Sequence, residues 1–371
     1  MPRFHSAGPW VRGVVLAATV TATVAIAAPE LPPHEALRIL IVSDEVNPHG
    51  LPPEQLTQPG DISAALGGPG AGLALDGIVE IPTNSIETAT ALLAVSRGDP
   101  AVYDVLLYFA HRIPNAGPDS VGRQAAFTAA VEQFLEDGGG VVSFHHGSYQ
   151  TAGKEGMQAL IGGAASGAVV WNTTQGQNVI AVAPQHFVAC NGVDSTGSVA
   201  YSDLPRGVPA GTYPFFNNTP DERYLVFELL PAAGQIEVLF GSNYVQNGST
   251  HLLGFTHRRA DWQGVVVAYQ PGEYQPNALD VDGPNFQVMA NAILWAAHRV
   301  PRDGVLLHVD RGPGTGEVTL DWYGCPLSFT VYRSTDPSAV VAAGNALGST
   351  TGSQWIDTPP AGQAFFYAVV P

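Results

Sequence analysis

Cysteine is scarce in this sequence, and so is positive charge. Its 371 residues include two cysteines, Cys190 and Cys325, and neither sits in a nucleophile or metal-ligand motif. Thiol catalysis is therefore not expected. The two fall in different expected domains. Either they bridge those domains in an oxidising compartment or they stay as separate buried thiols. Lys and Arg number 15 against 32 Asp and Glu, for a formal net charge of −17. That balance excludes a general nucleic-acid surface, which needs basic patches against phosphate, and disfavours an anionic membrane surface. It suits a carbohydrate or another small polar ligand. No His-x-x-x-His pair or other clustered ligand spacing occurs. No metal site and no cofactor is assigned, although His and carboxylate side chains suit a divalent metal such as zinc or manganese. Internal repeats and long low-complexity tracts are missing too.

Apolar side chains make up 45% of the residues and charged ones 13%, which supports a well-filled globular core. The 42 glycines and 30 prolines imply many turns. The length exceeds one ordinary compact domain, so two are expected. The start reads as an export signal over residues 1–27. Arg3 and Arg12 precede an apolar run from Val14 to Ala28, and Ala25-Ile26-Ala27 supplies a small-x-small pattern for cleavage before Ala28. The run is shorter than the roughly 20 residues a membrane span needs, and Pro29, Pro32 and Pro33 end it. The alternative is an uncleaved anchor. With cleavage, the mature chain has no membrane span and is periplasmic or extracellular.

Strand and helix patterns then alternate. Leu37–Ser43 reads as a buried strand, 54–66 as a helix, Ile78–Ile81 as a strand and 86–96 as a helix. Tyr103–Phe109 follows as a strand and Asp119–Asp137 as a helix, capped by Asp119 or Ser120 and stopped by Gly138. Val141–Phe144 is the next strand and Glu155–Ile161 the next helix. This alternation predicts an α/β, doubly wound, mostly parallel sheet. Short strands are expected at 179–182, 224–229, 236–240, 252–256 and 265–269, then a closing helix at 285–297. Residues 299–304 read as a linker. The tail, 305–371, loses helical signal and predicts a small β-sandwich with strands near 305–309, 317–322, 329–333 and 365–369.

Gly138-Gly139-Gly140-Val141-Val142-Ser143-Phe144-His145-His146-Gly147-Ser148 is the most informative stretch. It ends a buried strand in two histidines, at the carboxyl edge where α/β sheets bind ligands. Imidazole titrates near neutral pH, so His145 and His146 are candidate general acid/base groups. Two adjacent histidines on extended chain point to opposite faces; both can share a site only if the turn has already begun. The alternative is a histidine that only hydrogen-bonds the elbow backbone. Asp44, Glu45 and His49 follow the first strand, and His111 and Arg112 the third. If the sheet is doubly wound, these loops converge, which makes Asp44, Glu45, His49 and His111 candidate substrate-binding residues. Tyr149, Trp171, Tyr201 and Tyr244 could stack on a sugar ring, but such aromatics more often pack, so none is assigned.

Taken in order, several segments resemble the ThuA-like (trehalose utilisation) domain, a relative of the class I glutamine amidotransferase fold. They are Tyr103-Asp104-Val105-Leu106-Leu107, the run Phe134 to His145, Asp221-Glu222-Arg223-Tyr224, the strand Gly264 to Tyr269 and the helix Asn285 to Ala297 with its Ile-Leu-Trp-Ala. The resemblance covers 37–298 and implies a flavodoxin- or amidotransferase-like sheet. In amidotransferase relatives the elbow carries a cysteine between glycines; here His145 occupies that place. Without a thiol there is no acyl-enzyme route from glutamine, so amidotransferase activity is not expected. The acidic pair makes Glu222 a candidate for proton transfer. Asp221, after Pro220, is either a ligand-binding or a turn-capping carboxylate. Where the family often has Gly-His after the last sheet strand, this chain has Gly272-Glu273, and Glu273 is a candidate base or ligand-binding group. The tail resembles a fibronectin type III domain through Trp322, Val331-Tyr332-Arg333-Ser334 and Phe366-Tyr367-Ala368-Val369.

These residues predict an exported protein acting on a carbohydrate or oxidised sugar by His/carboxylate acid-base chemistry. Hydrolysis, isomerisation and elimination are all compatible with it. The alternatives are a non-catalytic carbohydrate-binding protein and a cell-envelope interaction module built on the sandwich. Oligomeric state is not legible.

Overall fold

The computed structural model describes residues 35–49, 55–95, 102–172, 178–230, 234–246, 249–300, 306–312, 314, 316–323, 329–351 and 354–370. The expected export signal at 1–27, residues 301–304 of the expected linker and Cys325 lie outside the described residues. Cys190 is disulfide-bonded. No helix of the described residues is long and apolar enough to cross a membrane.

The first half alternates as the sequence predicts: β1 (Leu37–Ser43), α1 (Asp61–Gly67), β2 (Leu75–Pro82), α2 (Ile86–Leu93), β3 (Val105–Phe109), α3 (Ser120–Glu136), β4 (Gly140–Phe144) and α4 (Glu155–Ile161). Then come β5 (Gly163–Asn172), β6 (Asn178–Ala181), α5 (Phe187–Cys190), β7 (Gly197–Asp203), β8 (Val208–Asn217), β9 (Asp221–Leu229), β10 (Gln235–Gln246), β11 (Ser249–Arg258) and β12 (Val265–Tyr269). The helices α6 (Gln275–Ala278) and α7 (Pro284–Ala296) close this part. The chain ends in β13 (Leu306–Arg311), β14 (Val318–Tyr323), β15 (Phe329–Ser334), β16 (Ala346–Thr350), β17 (Gln354–Asp357) and β18 (Phe366–Val370).

Ten strands form one sheet in the order β2-β1-β3-β4-β12-β11-β10-β6-β8-β7. Its first five strands are mutually parallel. From β12 onward it continues antiparallel. The parallel strands are short continuous apolar runs because both of their faces are covered. Successive side chains of β1 serve opposite faces. Ile39 and Ile41 join a core with Ile62 and Leu66 of α1 and with Phe286, Met289 and Ile293 of α7. Leu40 and Val42 join the opposite core with Ile86 of α2, Phe127 and Val131 of α3, and Met157 of α4. Each such side chain contributes about 1.5–3 kcal/mol by leaving water. Helix α3 starts where Asp119 accepts a hydrogen bond from the Gly122 N–H at 3.1 Å, a cap that contributes about 1 kcal/mol. It stops at Gly138, whose φ of 92° favours glycine.

The tail forms two three-stranded antiparallel sheets, β13-β14-β17 and β16-β15-β18. They share a core of Leu320, Trp322, Phe329, Val331 and Val369. Arg333 on β15 reaches both oxygens of Asp357 on β17 at 2.8 Å, tying one sheet to the other.

Candidate active site

Because β1, β3, β4 and β12 are parallel neighbours, their carboxyl ends open on one edge of the sheet. The loops after them carry Asp44 to His49, His111 and Arg112, His145 and His146, and Gln270 to Glu273. A fifth contribution comes from β9, which pairs only with β5 in a separate two-stranded sheet and brings Asp221, Glu222 and Tyr224.

Strand β4 passes directly into a 3-10 turn over His145–Ser148. His145 itself has a φ of 40°, a left-handed conformation that costs a non-glycine residue energy and is found most often at functional sites. The turn has therefore begun, and both rings face the same side with centroids 4.8 Å apart. Gly147 makes this possible. A Cβ there would meet the Tyr108 carbonyl oxygen at 2.2 Å, so only glycine lets the turn lie against β3.

His145 is fully buried. Its Nδ1–H donates to the Gln270 carbonyl at 2.6 Å, which fixes the ring. Its Nε2 lies 2.9 Å from Glu222 Oε2, 3.2 Å from the Tyr224 hydroxyl and 3.3 Å from Glu273 Oε2. The Tyr224 ring stacks on the imidazole, with centroids 5.0 Å apart. His146 Nε2 lies 2.9 Å from Glu273 Oε2 and 3.3 Å from His49 Nε2, and His49 Nε2 in turn lies 3.3 Å from Glu222 Oε1. Asn47 Nδ2 donates to Glu273 Oε1 at 2.6 Å. His49, His146, Glu222 and Glu273 thus each offer one metal-ligating atom, all within 4.8 Å of one another. The His49 side chain keeps 22% of its exposure while those of the other three keep 3% or less, so approach is from the His49 side.

Asp221 holds this arrangement together. Its carboxylate accepts hydrogen bonds from the backbone N–H groups of Glu222, Gly272, Glu273 and Tyr274 at 2.9–3.0 Å, and from Asn218 Nδ2 at 2.6 Å. One buried side chain thereby places both Glu222 and Glu273. The carboxylate caps two segments 51 residues apart. Asp44 does similar work: it accepts from the His111 and Arg112 N–H groups at 2.7 and 3.0 Å and sits 3.9 Å from His146 Nδ1.

Electrostatics separate the groups. Burial pushes the His145 imidazole down, but the Glu222 hydrogen bond and the charges of Glu273, Glu222 and Asp221 outweigh it and hold its pKa at about 9. Burial lowers His146 well below its usual value, with the His145 charge adding to the effect, and burial lowers His49 against the pull of Glu222. Burial likewise brings His111 to about 3 and raises Glu273 to about 8. At neutral pH a charged imidazole and a protonated carboxyl therefore face two neutral imidazoles. Titratable groups pushed apart in this way are what acid-base exchange at one point requires.

In the metal-free chain, NMR of ring nitrogens should show His145 as imidazolium until about pH 9, with His146 losing its proton well below the usual imidazole range. A raised pKa means the folded state holds the proton more tightly. Its stabilising contribution is complete below about 6.5 and is lost as pH rises through about 9. The destabilisation caused by His145→Asn, followed by denaturant titration, should shrink over that window.

Of the residues expected from sequence, His145, His146, His49, Glu222 and Glu273 meet at one point, with Asp44, Asp221 and His111 behind them. The His111 ring stacks on Tyr149 at 4.4 Å and meets His146 edge-on at 5.3 Å. Glu45 stands apart. Its carboxylate accepts from Thr83 Oγ1 at 3.0 Å and from the Asn84 N–H, tying the β1 loop to the start of α2. The chain turns after Asp44, so the next side chain leaves the cleft. Tyr201 packs in a satellite core with Ile180 and Val208. The side chains of Trp171 and Tyr244 lie outside the described residues.

Three contributors were not assigned from sequence: Tyr224, Asn47 and Lys154. Lys154, the only lysine in the chain, is fully buried and donates to the carbonyls of Ala110 and His146 at 2.7 and 3.2 Å. Burial lowers its pKa to about 7. A lone buried lysine just before a helix carries no local pattern that would reveal it.

No protein-family model and no curated protein matches the chain. Similar solved structures include a ThuA-like protein from Parabacteroides merdae, with 13% identity, a TM-score of 0.46 and coverage of 72% of this chain and 94% of that one. A ThuA-like protein from Bacteroides uniformis has 16% identity, a TM-score of 0.39 and coverage of 72% and 94%. The carbohydrate deacetylase Agd3 has 12% identity, a TM-score of 0.42 and coverage of 74% of this chain and 34% of its own.

Proposed function

We propose that this chain is an enzyme acting on a carbohydrate or oxidised sugar by acid-base chemistry, with His145 and Glu222 as the proton-handling pair. The observation that carries the reading is the 2.9 Å contact of Glu222 with His145, in a cleft where His49, His146 and Glu273 face the same point. His145 has a proton to give near neutral pH, and Glu222, 2.9 Å away, is placed to exchange it. The net charge of −17 favours a neutral, hydroxyl-rich substrate over a polyanion. The resemblance of Phe134–His145 and Asp221–Tyr224 to ThuA-like motifs points to the same substrate class.

The reading includes export, supported by the apolar run and small-x-small pattern at the start of the sequence. The Cys190 disulfide also suits an oxidising compartment. It includes flavodoxin-type winding of the parallel strands, supported by the order β2-β1-β3-β4-β12. A fibronectin type III character for the tail is supported by its two facing three-stranded sheets.

The test is turnover by the purified full chain on a panel of oligosaccharides and keto-sugars. At least one should be converted, and His145→Ala should lower its kcat/KM by at least about a hundredfold. Binding without turnover by the unaltered chain overturns the enzymatic reading in favour of a carbohydrate-binding one.

A further inference from the structure

Four donors from four separate segments converge beside His145, and their spacing is specific. His49 Nε2 lies 3.3 Å from His146 Nε2 and 3.3 Å from Glu222 Oε1, and His146 Nε2 lies 2.9 Å from Glu273 Oε2. Zinc holds nitrogen and oxygen donors at about 2.0–2.1 Å in a tetrahedron, which sets neighbouring donors about 3.3–3.4 Å apart. Three of the six separations in the protein cluster are near that size, and all four donor atoms lie within 4.8 Å of one another.

Hydrogen bonding accounts for the cluster less well. Glu273 is wholly buried, and its Oε2 accepts no hydrogen bond, although Oε1 accepts one from Asn47. Leaving a buried polar oxygen without a partner is costly. Two imidazole nitrogens also face each other at 3.3 Å, and His146 Nε2, which lies 2.9 Å from Glu273 Oε2 as well, cannot share one proton with both neighbours. A cation at the centre satisfies all four atoms together. The supporting shell that orients metal ligands is present too. Glu222 turns its second oxygen to His145 and Asn47 holds Glu273, while Asp44 lies 3.9 Å from His146 Nδ1, beyond hydrogen-bond reach.

We propose that His49, His146, Glu222 and Glu273 form a zinc-binding site at the centre of the cleft. The proposal rests on the same cluster as the proposed activity but does not require it, because metal content is measured without substrate. The donor set of two imidazoles and two carboxylates suits zinc, and without thiolates it does not select a softer ion.

The experiment uses the full chain, stripped with chelator and then titrated with zinc. About one equivalent should remain after gel filtration, and cobalt loaded in its place should give the visible bands of a tetrahedral ion. His49→Ala and Glu273→Gln should each weaken zinc binding by at least about a hundredfold, since outer-shell changes alone cost ten- to a hundredfold. Circular dichroism of the variants separates loss of ligand from loss of fold. Failure of the folded, stripped chain to retain zinc, or equal retention by both folded variants, overturns the site. Sugar turnover by a chain that binds no zinc would leave the proposed function standing without the metal. Zinc retention without turnover of any sugar would do the reverse.

Discussion

Glu222→Gln should lower kcat/KM about a thousandfold on whichever sugar the chain converts, while leaving the fold intact. The substitution keeps the shape of the side chain and removes its capacity to hold charge. Glu222 touches both His145 and His49, through different oxygens at 2.9 and 3.3 Å. Its hydrogen bond and charge are two of the influences that keep His145 protonated near neutral pH. With glutamine there, two of the raising influences are gone and the imidazole would lose its proton at a lower pH. A thousandfold loss corresponds to about 4 kcal/mol of barrier, within the range for a positioned acid-base group. The contrast is Glu132→Gln on the outer face of α3, whose partner is Arg259. That change should leave kcat/KM within about twofold.

Asp221→Ala should have the largest effect on stability, a loss of about 3–5 kcal/mol in chemical denaturation. The carboxylate is buried and accepts five hydrogen bonds, four of them from backbone N–H groups. Removing it takes the acceptor from the buried N–H groups of Gly272 and Glu273. Such a loss is a large part of the 5–15 kcal/mol that typically separates folded from unfolded chains. Asp221→Asn keeps one acceptor oxygen but sets an NH2 against backbone donors, so it should lose less stability and still displace Glu273. A variant that folds but has the 272–274 segment moved should also lose turnover, because Glu222 and Glu273 are placed through this one side chain.

Much of the framework was legible in the residues. The apolar run Leu37–Ser43, the helix Glu155–Ile161 and the strand Val265–Tyr269 have the bounds their patterns imply. Each is a run whose side chains enter a core on both faces or along one stripe. Strands β5, β7 and β8 were not legible. The sequence of β7, Gly-Ser-Val-Ala-Tyr-Ser-Asp, is largely exposed at the sheet edge, and β8 carries Pro and Gly, so neither shows a clean alternation. Strand β9 begins three residues earlier than its apolar pattern suggests, because Asp221, Glu222 and Arg223 are buried polar residues held by partners. Periodicity cannot announce such residues.

The site divides in the same way. His145 and His146 were visible because a strand with one clear end delivers them together. The cluster they join was not visible, because its members stand at positions 49, 146, 222 and 273. Motif spacing reports ligands on a single element, and here four elements supply one each. Glu45 illustrates the opposite error: adjacency to Asp44 in sequence suggested a shared site, and the turn of the chain separates them.

The decisive measurement is a crystal structure of the chain soaked with the sugar that it converts. The reacting carbon or oxygen should lie in contact with the cluster, entered past His49 and within hydrogen-bond reach of Glu222. A sugar seated elsewhere, on the C-terminal sheets for example, with the space beside His145 closed, would contradict it.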